Sequence, residues 1–120
     1  MSASLYGDVV ADHARNPRNR GALESPDLAR EGVNPLCGDR IRIEVRIRDG
    51  RVDAVRFQAD GCMVTIAAAS ILSGLLTGAA VSQARALPDA ELLGALGTEL
   101  RPSRVGCALL PLQILREALR

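Results

Sequence analysis

The stretch RIRIEVRIRDGRVDAVRF, Arg40 to Phe57, constrains the fold more than any other part of the chain. Ile41, Ile43, Val45 and Ile47 alternate with Arg40, Arg42, Glu44, Arg46 and Arg48. Successive side chains of a strand point to opposite faces, so this pattern describes a strand with one apolar face. Asp49-Gly50 is a pair that tolerates positive φ at both central positions of a tight turn, and RVDAVRFQA then runs back. The segment predicts an antiparallel hairpin whose apolar face has to be covered by other elements.

Helices supply the cover. Leu5, Tyr6, Val9, Val10 and His13 recur at helical spacing after Ser4, a capping residue type, and RNPRNRG ends that helix. ALESPDLAREGVNPLCG reads as extended and irregular. A second helix begins near Cys62 and ends at Gly78. AVSQARA and PDAELLGAL predict two short helices, the latter opening with Pro88 and closing at Gly97. CALLPLQILREAL predicts a last helix with an apolar stripe of Ala108, Leu112, Leu115 and Leu119. Cys107 then stands at its start and Pro111 in its first turn, where no hydrogen bond is lost. The expected class is α+β: one domain over residues 1–120, with a small antiparallel sheet packed against several helices.

The run from Gly61 to Gln83 carries no charge and is long enough to span a bilayer. Thr65, Ser70, Ser73, Thr77 and Ser82, and the lack of an aromatic belt, favour a buried core helix instead. Ser70, Ser73 and Thr77 share one stripe, which leaves Ile66, Ile71, Leu72, Leu75 and Leu76 for burial. No membrane partner is expected.

A formal net charge of +1 gives the chain no overall field to attract polyanions. Arg40, Arg42, Arg46, Arg48, Arg51 and Arg56 cluster locally, and the expectation is a solvated strand face. A nucleic-acid platform needs rings to stack bases, and only Phe57 is at hand, so no nucleic-acid partner is expected. Three cysteines fit a reducing compartment better than a disulfide framework. MSASLYGDVV has neither the basic start nor the apolar run of a signal peptide, so a cytoplasmic location is expected.

Taken singly, each cysteine is a small apolar core residue. Their settings suggest more. Cys37 lies in a loop entering a strand, Cys62 follows Gly61 at a strand-to-helix junction, and Cys107 follows Gly106 at a predicted helix start. A helix N-terminus favours the thiolate, the form that attacks sulfur and binds metal. Asp39 stands two residues from Cys37, on the same side of an extended chain, and Gly38 between them leaves room. Three thiolates and a carboxylate can hold zinc tetrahedrally, and thiolates also hold iron–sulfur clusters. The long intervals between the cysteines match no CxxC-type finger, so a shared site and three unconnected residues both stay open on spacing. His13, the lone histidine, falls on an apolar stripe and is assigned to packing rather than to the base of a cysteine hydrolase. No glycine-rich phosphate loop is present.

NPLCGD, DGCMVTIAAASILSGLLTG and SRVGCALLPL resemble, in order, the three cysteine motifs of the iron–sulfur cluster assembly scaffolds, the IscU, SufU and NifU N-terminal-domain proteins. LYGDVVADHARNPRNRGAL resembles their N-terminal segment. The resemblance implies a SufE/NifU-like fold with a three-stranded antiparallel sheet. It implies that Cys37, Asp39, Cys62 and Cys107 converge on a labile [2Fe–2S] cluster, on iron, or alternatively on zinc. It also implies two partners: a pyridoxal-phosphate cysteine desulfurase that donates sulfur, and apo-iron–sulfur proteins that receive clusters. Asp39, an oxygen ligand among thiolates, would keep the cargo releasable. In the alternative reading the chain is a zinc-dependent sulfurtransferase with Cys107 as persulfide carrier.

The chain departs from the pattern in three places. Gly106 stands where IscU-type members have a histidine, and LRPSR, Leu100 to Arg104, replaces their LPPVK. Both departures count against dependence on the dedicated Hsp70-type chaperone. Arg104 resembles the arginine of SufU-type members, yet the insertion those members carry between the second and third cysteines is missing.

Overall fold

The computed structural model describes residues 6–120. The elements are α1 (Asp8–Arg15), β1 (Leu28–Val33), β2 (Arg40–Arg48), β3 (Arg51–Asp60), α2 (Met63–Leu76), α3 (Val81–Arg85), α4 (Asp89–Ala95) and α5 (Pro102–Ala118). The strands form one antiparallel sheet in the order β1-β2-β3. The fold is α+β, as expected.

The β2–β3 hairpin turns through Asp49 and Gly50, with φ of 53° and 73°. The register shifts between Arg46 and Ile47, so that Val52 and Val55, three positions apart, both face inward. With Ile41, Ile43, Val45 and Phe57 they pack on Val64, Ala68 and Leu72 of α2 and on Ala108, Leu112 and Leu115 of α5. Each large side chain buried this way is worth about 1.5–3 kcal/mol relative to exposure.

Residues 22–38, read as extended and irregular, are extended, but Leu28–Val33 form the regular strand β1. It is an edge strand in which only Leu28 and Gly32 are half-buried, so it shows no apolar alternation. A side chain at Gly32 would run into Ile114, which is why this strand can lie directly on α5. Ser4, the expected cap of the first helix, and Leu5 lie outside the described residues. α1 begins at Asp8 with Gly7 as its N-cap.

α2 spans the predicted interval, but Ser70 and Ser73 of its polar stripe face inward, and only Thr77 of that stripe, at the C-cap, is exposed. Ser70 and Ser73 are 1% exposed, whereas Leu75 is 42% exposed. The Ser70 hydroxyl accepts the Arg18 N–H at 2.8 Å and meets His13 Nδ1 at 2.7 Å. Ser73 Oγ accepts from Asn19 Nδ2 at 2.9 Å and donates to the Ser70 carbonyl at 2.7 Å. These bonds dock the segment after α1 onto α2, and burial holds His13 below its ordinary pKa. No helix among the described residues is long and apolar enough to cross a membrane.

The outer face of the sheet is strapped, which corrects the expected solvated arginine face at Arg42, Arg46 and Arg56. Residues 19–21 bond along the free edge of β3, through Phe57 N–H to Asn19 O at 3.1 Å and Gly21 N–H to Phe57 O at 2.8 Å. The chain then crosses to β2, where Leu23 N–H donates to Glu44 Oε1 at 2.7 Å and Asp27 N–H to Val45 O at 2.9 Å. Arg42 pairs with Glu44 at 2.9 Å, Arg46 donates to Glu24 O at 2.7 Å, and Arg56 to Asn19 Oδ1 at 3.1 Å. Arg40, Arg48 and Arg51 remain exposed.

α5 differs most from expectation. It starts at Pro102, which needs no helical N–H at that position, so Pro111 falls in the interior and Cys107 more than one turn inside.

Candidate metal centre

The centre lies where the β1–β2 loop, the N-terminus of α2 and the first half of α5 meet. Residues 34–39 join Val33 to its partner Arg40, and Asn34 organises the turn. Its carbonyl accepts the N–H groups of Cys37 at 3.3 Å and Gly38 at 2.7 Å, and its own N–H donates to Asp39 O at 2.8 Å. Its side-chain oxygen accepts the Leu36 N–H at 3.0 Å, an Asx turn. Cys37 and Asp39 are therefore brought together by a tight turn rather than by an extended chain.

Gly38 has φ of +77°, and a Cβ there would meet nothing within 4 Å. The position requires glycine for its left-handed backbone, not for the room the sequence suggested. The crowded glycine is Gly61, where a Cβ would lie 2.6 Å from Asp39 Cγ and 2.8 Å from Oδ1.

One ligand atom from each of Cys37, Asp39 and Cys107 lies within 4.8 Å of the other two. The sulfurs of Cys37 and Cys107 are 3.6 Å apart. Cys62, the fourth residue expected from sequence, is the N-cap of α2 and stands beside this trio rather than inside it. Its N–H donates to Asp39 Oδ1 at 3.3 Å, and its sulfur meets Thr65 Oγ1 at 3.5 Å. Thr65 Oγ1 donates to Asp39 Oδ2 at 2.6 Å.

The environments of these groups differ. Cys37 is exposed, Cys62 intermediate and Cys107 buried. Burial first, then the Cys37 hydrogen bond and the proximity of Cys62, pushes the Cys107 thiol up to about 12. That reverses the expectation of a thiolate favoured by a helix start, because Cys107 is not at one. Burial also pushes the Asp39 carboxyl up, but hydrogen bonds from Thr65, Cys62 and Cys37 outweigh it and hold the group below its ordinary value. Asp39 also lies at the N-terminal end of α2, where the helix dipole favours negative charge. The Arg104 guanidinium is held above its ordinary value by its hydrogen bond to Cys107 first, then by Tyr6 and Cys62.

Pro111 adds a further feature. It has no N–H, so the Cys107 carbonyl four residues earlier has no helical donor. Thr65 Oγ1 approaches that carbonyl at 3.4 Å. Thr65 and Gly61 were not singled out from the sequence, where Thr65 reads only as a polar interruption of an apolar run.

Three sulfurs and one carboxylate make a donor set that fits zinc or an iron–sulfur cluster and suits neither magnesium nor calcium.

The family model of the NifU-like N terminal domain matches residues 5–120. The iron–sulfur cluster assembly scaffold protein IscU 1 of Archaeoglobus fulgidus is 33% identical over 115 residues, covering 96% of this chain and 74% of the relative. The zinc-dependent sulfurtransferase SufU of Bacillus subtilis is 36% identical over 75 residues, covering 62% of this chain and 50% of the relative. The crystal structure of a NifU-like protein (N-terminal) from Brucella abortus shares the fold, with a TM-score of 0.80 at 20% identity over 97% of this chain and 92% of that one. With the family model matching residues 5–120 and a relative 33% identical over 96% of the chain, the chain belongs to the NifU-like N-terminal domain family.

Proposed function

We propose that this chain is an iron–sulfur cluster assembly scaffold, with a [2Fe–2S] cluster as its cargo and Cys37, Asp39, Cys62 and Cys107 as the holding residues. The observation that carries this reading is the convergence of Cys37, Asp39 and Cys107 within 4.8 Å, with Cys62 tied to the same carboxylate through its N–H. The Cys62 thiol also lies close enough to Cys107 to help hold that thiol protonated.

The exposures suggest an order of events. A cysteine desulfurase presents sulfur as a persulfide, and exposed Cys37 is the thiol it reaches first. The Cys37 thiolate attacks the outer sulfur, the donor's S–S bond breaks, and the donor leaves as a thiolate. This moves the persulfide role from Cys107, which is 1% exposed, to Cys37. Asp39 gives the cluster one oxygen ligand, weaker towards iron than a thiolate, through which a recipient apo-protein can begin to displace it. The chemistry needs reduced thiols, as in a cytoplasm.

A second reading, a zinc-dependent sulfurtransferase, is favoured by Arg104 set against Cys107, a cation beside a buried thiol. Metal and acid-labile sulfide content of protein purified without oxygen, beside Cys37→Ala, separates the two. Iron with matching sulfide, lost in the variant, supports the scaffold. Stoichiometric zinc without sulfide supports sulfur transfer, and no metal after supply of iron, sulfide and zinc overturns both.

A further inference from the structure

Asp39 is the one oxygen donor of the centre, and its usefulness depends on where its carboxylate is held. It is 6% exposed, and both oxygens are engaged from α2: Oδ1 by the Cys62 N–H and Oδ2 by the Thr65 hydroxyl at 2.6 Å. The Thr65 contact is the shorter, and Thr65 itself is fully buried, so its rotamer is fixed by packing. The same oxygen lies 3.5 Å from Cys62 Sγ and 3.4 Å from the Cys107 carbonyl that Pro111 leaves without a helical donor. One hydroxyl thus touches three of the four residues around the centre. It carries a single proton, which the short bond assigns to Asp39, and the Cys107 carbonyl is a second acceptor within reach when the carboxylate moves.

We propose that Thr65 is the positioning residue of the metal centre, aiming the Asp39 carboxylate at the ion or cluster held by the cysteines. The inference rests on the reading of Cys37, Asp39, Cys62 and Cys107 as a metal-holding set. Groups that orient a metal ligand without touching the metal commonly contribute about 10- to 100-fold to affinity. Valine keeps the shape of threonine and removes the hydroxyl, whereas serine keeps the hydroxyl and removes a methyl.

The test is zinc affinity of the full chain, measured by competition with a chromophoric chelator, with melting of each metal-free variant alongside. Thr65→Val is expected to bind zinc about 10- to 100-fold more weakly than wild type, and Thr65→Ser to stay close to wild type. In an Asp39→Ala background, Thr65→Val is expected to cause no further loss, since no carboxylate remains to be aimed. An unchanged affinity in Thr65→Val overturns the proposal while leaving the metal site standing. So does an equal loss with and without Asp39, the signature of a merely structural threonine. A wild-type chain that fails to bind zinc overturns the metal-holding reading and this proposal with it.

Discussion

The sulfurs of Cys37 and Cys107 stand 3.6 Å apart, one on an exposed loop and the other inside α5. Diamide is expected to convert the metal-free protein to an intramolecular disulfide between them, with Cys62 left as the one alkylatable thiol. Peptide mapping after alkylation identifies the pair. Zinc bound beforehand should block the reaction, and a disulfide involving Cys62 instead would show that the loop geometry misleads.

Cys107 has to lose its proton to bind a metal, and burial together with the neighbouring thiols pushes it up to about 12. Zinc binding near neutral pH should therefore release at least one proton, and affinity should rise about tenfold per pH unit for each proton released. Calorimetry in buffers of different ionisation enthalpy counts the protons. Binding heats that do not vary with the buffer would mean that Cys107 stays protonated or is not a ligand.

Two glycines flanking the centre are expected to fail differently. Gly61→Ala forces a Cβ to within 2.6 Å of Asp39 Cγ, so the carboxylate must move and zinc affinity should fall together with about 1–3 kcal/mol of stability. Gly38→Ala meets open space but leaves an L-residue at φ of +77°, a strain of about 1–2 kcal/mol. Gly38→Asn should recover part of that, because asparagine tolerates the left-handed region. Urea denaturation read beside chelator competition distinguishes the two cases; equal affinity losses in both alanine variants would contradict the assignment.

Glu44 pins the strap over the sheet. The Leu23 N–H, then Arg42, hold its carboxyl below the ordinary 4.5. A depressed carboxyl adds stability in full above that ordinary value, and the contribution is lost as pH falls through the folded value. Unfolding free energy should therefore drop below about pH 4.5 more steeply in wild type than in Glu44→Gln. Denaturant titrations across that range check it, and parallel curves would mean that the strap does not depend on this charge.

Much of this was legible in the sequence where apolar periodicity was strict. The β2–β3 hairpin followed from four alternating apolar residues and a turn pair, and the limits of α2 from Cys62 and Gly78. β1 was not legible from its residues because an edge strand lying on a helix through Gly32 has no apolar face to display; only the family resemblance implied a third strand. Ser70 and Ser73 were set apart from the residues left for burial because nothing local reveals that His13, Arg18 and Asn19 would dock there. The start of α5 was placed too late, although Pro102 in LRPSR is the kind of residue that opens a helix. The cysteine trio was visible as chemistry and not as geometry, since closure depends on a loop conformation set by Asn34 and Gly38.

Pro111 gives the interval between it and Cys107 a meaning beyond packing. A proline disarms the carbonyl four residues before it and no other, so the two positions act as a fixed reading frame within α5. Inserting or deleting one residue between them would leave both side-chain types in the chain, yet hand the Cys107 carbonyl back to the helix and rotate its sulfur by about 100° around the axis relative to the residues beyond. This part of the helix should therefore tolerate changes of side chain far better than changes of length.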